Sequence, residues 1–285
     1  MKLGEEREGY PLMQWGDIRL HKWILQDKVR NEAFKRAIEE IVKPDDVVLD
    51  LGSGTGYLSF LAAQAGAGKI YGIEYHQNLV DEAKKKAKEL GLEDRVHFIH
   101  GYSLGLDRNS IEPVDVIVSE TLGFMGIGEG IVNYVSDARR KWLKPDGKII
   151  PQNIELYLVP VFHPGYDKRS IKQIMCNVKP EYPKAEAVKI ADFDLSEDNE
   201  VKINEEINFG LLQAQINGFA GWFRVRLSLN VVLDTSPFST QTCWHQMFYP
   251  LGKTTRGSTL TVRISSYAEK DLTLLKVENC NPCQP

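Results

Sequence analysis

The run Val47-Val48-Leu49-Asp50-Leu51-Gly52-Ser53-Gly54-Thr55-Gly56 leaves the chain around it few choices. A β-branched apolar stretch ends in an acid and then in glycines at alternate positions. Tyr57-Leu58-Ser59-Phe60-Leu61-Ala62-Ala63 follows with helical spacing. Strand, tight turn and helix start in that order turn backbone N–H groups toward a ligand. Glycine in such a turn allows positive φ and close approach of the main chain. Next, Lys69-Ile70-Tyr71-Gly72-Ile73-Glu74 reads as a second strand whose terminal acid is placed to accept both hydroxyls of a ribose. The spacing is G-x-G-x-G, without the sixth-position glycine of dinucleotide sites and without a P-loop lysine. An ordinary βαβ turn with a solvated acid is the plain alternative.

Apolar residues at helical spacing from Asp17 to Ile41 predict two amphipathic helices, broken at Lys43-Pro44-Asp45. A helix over Gln77 to Leu90 carries Lys84-Lys85-Lys86, read as a solvated face. Arg95–His100 and Val114–Ser119 read as strands, Gly128 to Leu143 as a helix, and Lys148-Ile149-Ile150 as a further strand. Alternating strands and helices predict α/β architecture on a mainly parallel sheet up to Pro151. Beyond it, Ile154–Phe162, Ala187–Phe193, Ile207–Gln213, Gly221–Leu233, Gln246–Pro250, Thr259–Ser266 and Leu272–Val277 alternate and are separated by turn residues. These predict an antiparallel β-barrel or sandwich. The stretch His163–Lys184 takes no assignment.

Composition narrows the function classes. With 42% hydrophobic and 26% charged residues the 285-residue chain is ordinary globular material. Lys+Arg number 35 against 39 Asp+Glu, a net charge of −4, so no global basic field favours nucleic acid. No apolar stretch approaches the roughly 20 residues of a membrane span. The opening residues, with Glu5, Glu6, Arg7 and Glu8, lack a signal-peptide core. Four cysteines in a chain of this length point to a reducing cytoplasm rather than a disulfide framework. Cys280-x-x-Cys283 lacks a second ligand pair and reads as a proline-flanked tail, so no metal is expected.

In open α/β sheets ligands bind beyond the carboxyl ends of the strands. The fourth strand delivers Glu120 there, and the loop Thr121-Leu122-Gly123-Phe124-Met125-Gly126-Ile127-Gly128 leads to Glu129. Two carboxylates bracketing a glycine-rich loop can clamp a planar cation with several N–H donors, above all a guanidinium. The alternative is one strand-end acid and one acid stabilised by a helix dipole.

The glycine turn and the acidic strand after it resemble class I S-adenosylmethionine methyltransferases. Ser119-Glu120, Gly123-Phe124 and Glu129 resemble the double-E loop of protein arginine N-methyltransferases. Lys141-Trp142-Leu143-Lys144-Pro145-Asp146-Gly147-Lys148-Ile149-Ile150-Pro151 is similar to that family's lead into its barrel. Asp27-Lys28-Val29-Arg30, with His21 before it, resembles its N-terminal D-x-V-R helix. Thr242-Cys243-Trp244-His245-Gln246 stands where the family has a T-H-W-x-Q loop.

The resemblance implies a Rossmann-like methyltransferase domain followed by a β-barrel, in a divergent member. Residues 1–44 would cover the cofactor site, 45–151 bind S-adenosylmethionine, and 152–285 form the substrate domain. Gly52, Gly54 and the backbone beside Asp50 would cradle the methionine part, and Glu74 the ribose. Arg30 would pair with the methionine carboxylate, with His21 against the same end. Glu120 and Glu129 would hold the guanidinium of a protein or peptide arginine, and Trp244 would wall its channel.

Departures from the family pattern are specific. Tyr10 and Trp15 only approximate its Y-F-x-x-Y opening, and Thr121 replaces a tryptophan. Cys243 replaces the loop histidine, which predicts that Asp27 loses its partner there. No adenine-binding acid follows the third strand, where Tyr102-Ser103-Leu104 stands, so Ser103 or backbone is expected to meet the base. Phe162 to Lys184 is too short for the helical dimerisation arm, which puts the family's ring-like dimer in doubt. Methylation of a small guanidino or amino metabolite, or a catalytically silent cofactor-binding partner, remain the competing readings. A nucleic-acid methyltransferase is weakest, for want of a basic stripe or a base-flipping loop.

Overall fold

Two aspartates start the helices ahead of the first strand. Asp17 accepts from the Arg19 N–H and opens α1 (Ile18–Ile24). Asp27 accepts from the Arg30 N–H and opens α2 (Lys28–Ile41). Both are side-chain N-caps. Helix α2 buries Arg30, Ala33, Phe34, Ala37 and Ile38, the i, i+3, i+4, i+7, i+8 stripe of a core-facing helix. These features come from a computed structural model that describes residues 15–166, 174–256, 258–269 and 272–279. Tyr10, Cys280 and Cys283 lie outside the described residues.

Strand β1 (Val47–Leu51) is paired in parallel with β2 (Lys69–Glu74) and with β4 (Val114–Ser119). With β3 (Val96–His100) and β5 (Leu143–Ile150) the sheet order is β3-β2-β1-β4-β5. Helices α3 (Tyr57–Gln64), α4 (Gln77–Glu89) and α5 (Ile131–Trp142) alternate with the strands. The order reverses between β1 and β4, and a crevice opens beyond their carboxyl ends. There β1 runs into the glycine turn and β4 into Glu120. Helix α4 buries Leu79, Val80, Ala83 and Ala87 and leaves Lys84–Lys86 exposed. Helix α5 begins at Ile131 rather than Gly128, because the chain first makes a short 3-10 turn, Phe124–Gly126. Strand β5 begins at Leu143, earlier than expected, and its pairing with β4 slips between Val114 and Val116.

Past the cis Ile150–Pro151 bond the sheets are antiparallel. One combines β6 (Asn153–Val161), β7 (Ile174–Cys176), β8 (Val188–Asp194), β10 (Ile216–Arg226), β11 (Val232–Asp234) and β12 (Gln246–Thr255). The other joins β9 (Asn204–Leu212), β13 (Ser258–Glu269) and β14 (Leu272–Asn279). The single strand expected over Gly221–Leu233 is two. The Leu227 and Ser228 N–H groups donate to the Val231 carbonyl, and β11 folds back on β10. Apolar Leu229, 81% exposed at this turn, disguised it as strand. Strand β7 lies in the unassigned stretch, with Ile174 and Met175 exposed and no alternation to betray it.

One apolar cluster runs from Phe34 through Leu49, Ile117 and Trp142 to Ile154, Phe223 and Ile264, joining both halves of the chain. Strand alternation puts Phe219 and Phe223 into it, while Ala220 and Trp222 face a smaller cluster with Phe248. The loop after Glu120 is caught between the halves. A Cβ on Gly126 would lie 2.7 Å from Phe223, and one on Gly221 would lie 2.8 Å from Met125. The β half therefore shapes the loop that carries the two acids.

Candidate functional site

A cavity of about 1090 Å³ opens at the carboxyl ends of β1, β2 and β4. Its wall contains His21, Arg30, Asp50, Gly52, Gly54, Glu74, Ser103, Glu120, Glu129 and Trp244, every residue singled out from the sequence. They arrive from α1, α2, the glycine turn, the ends of β1, β2 and β4, the short turn after β3, the loop before α5 and a late loop.

At the turn, Gly54 has φ +55°, and a Cβ there would stand 3.0 Å from the His21 ring. His21 is fixed over the turn by a 2.7 Å hydrogen bond between its Nε2 and the Trp15 carbonyl. Glu74 accepts from the Gly54 N–H at 2.9 Å and from the His76 N–H at 2.8 Å, so the second strand's acid also holds the loop. Asp50 is fully buried. Its Oδ2 accepts from the Ser59 N–H and hydroxyl, at 2.9 and 2.6 Å, while its buried Oδ1 has no hydrogen-bond partner. Burial pushes the Asp50 carboxyl up to about 7 against the Ser59 hydrogen bonds, with the Glu74 charge adding to the rise. Ser59, on the first turns of α3, was missed because its partner is set by the helix crossing the strand end.

Arg30 crosses from α2 to the end of β4. Its Nε donates to Glu120 Oε2 at 2.8 Å, its Nη2 donates to the same oxygen, and its Nη1 donates to Asn31 Oδ1 at 2.8 Å. The Arg30 and Glu120 side chains are only 7% and 10% exposed. Glu129 immediately precedes the α5 cap, Gly130. Burial first, and then the nearby Glu120 charge, hold its carboxyl well above the usual range, with Arg30 pulling the other way. The two acids therefore sense each other across the cavity wall. Gly123 makes the approach possible. It has φ +61°, and a Cβ would stand 2.6 Å from Glu129 Cγ and 2.9 Å from its Oε1. Met125, at φ +53°, is a non-glycine held in the same left-handed region.

The late loop differs from expectation. Asp27 does not lose its partner: its Oδ2 accepts from the Cys243 backbone N–H at 2.7 Å. A main-chain donor does not depend on which side chain stands at 243. The Cys243 thiol is pushed up by burial and by the Glu120 charge. Trp244 meets Phe223 edge-on at 5.3 Å. His245 points elsewhere, its Nδ1 shared between Gln241 and Asn177. Ser103 is buried in the cavity wall and its carbonyl accepts from Lys141 Nζ at 3.2 Å. Thr121, Tyr75 and Tyr102 also line the cavity. Thr121 and Tyr102 stood in stretches the sequence had marked and Tyr75 in none; the Thr121 hydroxyl lies 3.1 Å from that of Ser119.

Among the described residues no cluster of His, Cys, Asp and Glu could hold a metal ion, and no helix is long and apolar enough to cross a membrane.

The methyltransferase-domain family model matches residues 42–208. Protein arginine N-methyltransferase 6 of Danio rerio is 32% identical over 86% of this chain and 80% of its own length. The probable protein arginine N-methyltransferase 6 of Arabidopsis thaliana is 30% identical over 75% of this chain. The chain spans 55% of that plant protein. The Trypanosoma brucei PRMT1 enzyme–prozyme heterotetrameric complex with AdoHcy has a chain of the same fold, with TM-score 0.83 and 24% identity over 95% of this chain and 96% of that one.

Proposed function

The chain belongs to the protein arginine N-methyltransferase family, and we propose that it transfers a methyl group from S-adenosylmethionine to a guanidinium nitrogen of arginine in a protein or peptide. The observation that carries this is that Glu120 and Glu129 line one cavity with the glycine turn, with Glu129 folded close over Gly123. In this reading helices α1 and α2 cover the cofactor, the parallel-sheet half binds it and the antiparallel sheets complete the substrate side.

The residues present fit the cofactor. The cavity is roomy, Gly54 keeps clear the space a side chain would fill, and the buried Oδ1 of Asp50 has no hydrogen-bond partner. Bound S-adenosylmethionine supplies an electrophilic sulfonium methyl. Glu74, whose oxygens each take one backbone N–H, keeps lone pairs for ribose hydroxyls. The Arg30 guanidinium has five N–H groups, and those not spent on Glu120 and Asn31 can take the methionine carboxylate, with His21 against the same end. Ser103 stands where the base would lie.

Arg30 occupies Oε2 of Glu120, which leaves Oε1 for the substrate. A guanidinium nitrogen is a poor nucleophile because its lone pair is delocalised. Two carboxylates draw positive charge away from one nitrogen and align that nitrogen with the methyl, positioning that can supply about 7–11 kcal/mol. Fixed negative charge stabilises the cation through the transfer. Arrival of the cation draws Glu129 into its ionised form, because an opposite charge lowers a carboxyl raised by burial. Trp244 walls the arginine channel. The free thiols Cys176 and Cys243 and the acidic net charge fit a cytoplasmic enzyme without a nucleic-acid substrate.

The test is incubation of purified protein with isotope-labelled S-adenosylmethionine and, separately, an arginine peptide, its lysine counterpart and free arginine, read by mass spectrometry. A methyl increment on the arginine peptide alone is expected. Transfer only to free arginine would establish a metabolite enzyme, and tight product binding without transfer to any acceptor would establish a silent partner.

A further inference from the structure

The base end of the cavity is aromatic where a polar reader of adenine would be expected. This inference rests on the cofactor reading above. Five acids line the cavity: Asp17, Asp50, Glu74, Glu120 and Glu129. Asp17 is tied to Arg19, both oxygens of Glu74 accept backbone N–H groups, and the other three belong to the glycine turn and the acid pair. None comes from Gly101–Ser103, the segment after β3. The Ser103 carbonyl is already taken by Lys141 Nζ and the Leu106 N–H. The Ser103 hydroxyl can donate or accept, so it meets an amino group and a carbonyl oxygen alike and does not tell them apart. What the segment does present is Tyr102, 43% exposed, facing Tyr75, 62% exposed, edge-on with ring centroids 6.0 Å apart. Both rings line the cavity, and Tyr75 directly follows Glu74, the residue read as the ribose acceptor. Large rings left this open to water beside a nucleoside site offer apolar area and π-faces that every purine can use.

We propose that Tyr75 and Tyr102 hold the cofactor's base by ring contact, and that the site therefore discriminates little at the purine 6-position. Hydrogen-bonded sites reject an analogue with the wrong donor steeply, whereas ring contact is tolerant of the substituent pattern.

Isothermal titration of the full chain with S-adenosylhomocysteine and with S-inosylhomocysteine, in which oxygen replaces the 6-amino group, separates the cases. Affinities within about threefold of each other are expected, and Tyr75→Ala and Tyr102→Ala are each expected to weaken both ligands about tenfold, the scale of one base–ring contact. Tyr75→Phe and Tyr102→Phe should bind as the parent does, which separates lost ring contact from lost fold. A preference for the adenine compound above about thirtyfold would overturn the inference, since it requires a polar reader. So would parental affinity in the alanine variants. If the parent binds neither compound, the cofactor reading itself fails and takes this inference with it.

Discussion

Replacing Arg30 by methionine should cost more stability than any surface change in this chain. The substitution keeps a long apolar stem against Phe34, whose ring the guanidinium overlies at 5.8 Å, but removes the charge. Glu120 is then left 10% exposed without its cation, and its Oε2 loses both donors. Breaking a buried pair from one side costs about 3–5 kcal/mol, largely because the survivor stays buried and uncompensated. Removing both charges, with Arg30→Met and Glu120→Gln together, should cost less than the sum of the single changes by about 2 kcal/mol, as expected for direct partners. Urea unfolding of the four proteins without cofactor gives the cycle. If Arg30→Met costs less than about 1 kcal/mol, or if the two changes simply add, the pair does not hold the end of β4 as argued.

Two further outcomes follow from the same wall. The Asp50 carboxyl, at about 7 when folded against an ordinary 3.8, keeps a proton that the unfolded chain has released. Stability should therefore fall as pH rises from about 4 to about 7 and level off above, by at most about 4 kcal/mol for a shift of that size. Urea unfolding across that range, compared with Asp50→Asn, reads the slope, and parallel curves for the two proteins would refute it. Gly123→Ala places a methyl 2.6 Å from Glu129 Cγ at a φ of +61°. It should lower kcat/KM for an arginine peptide by about a hundredfold or more, as misplacement of a reacting group by about 1 Å can. Titration should find product binding unchanged, and parental turnover would show that Glu129 needs no such approach.

What could be read from the residues was whatever is encoded locally. The Val47–Leu51 run, the alternating glycines and the terminal acid Glu74 specify strand, turn and strand without help from the rest of the chain. Apolar Phe34, Ala37 and Ile38 likewise declare which face of α2 is buried, while the burial of charged Arg30 on that face was not legible. What stayed hidden depends on residues far apart in sequence. The Arg30–Glu120 pair joins positions separated by 90 residues, and the Asp27–Cys243 bond spans 216. Cys243 shows the limit well: side-chain identity suggested a broken contact, but the donor is the main chain. The β7 strand was illegible because its three residues, two exposed and one half-buried, carry no alternation. The turn after β10 was hidden by an apolar Leu229 that solvent, not core, surrounds.

The most direct test concerns Glu129, because Glu120 also answers to Arg30 and its removal disturbs both. Glu129→Gln keeps the shape of the side chain and removes only its capacity for charge. With an arginine peptide and labelled S-adenosylmethionine, single-turnover methyl transfer should fall by about a hundredfold or more, the scale of a lost charge-stabilising group. Affinity for S-adenosylhomocysteine should match that of the parent. Transfer at the parental rate would contradict the claim that two carboxylates converge on the substrate's guanidinium.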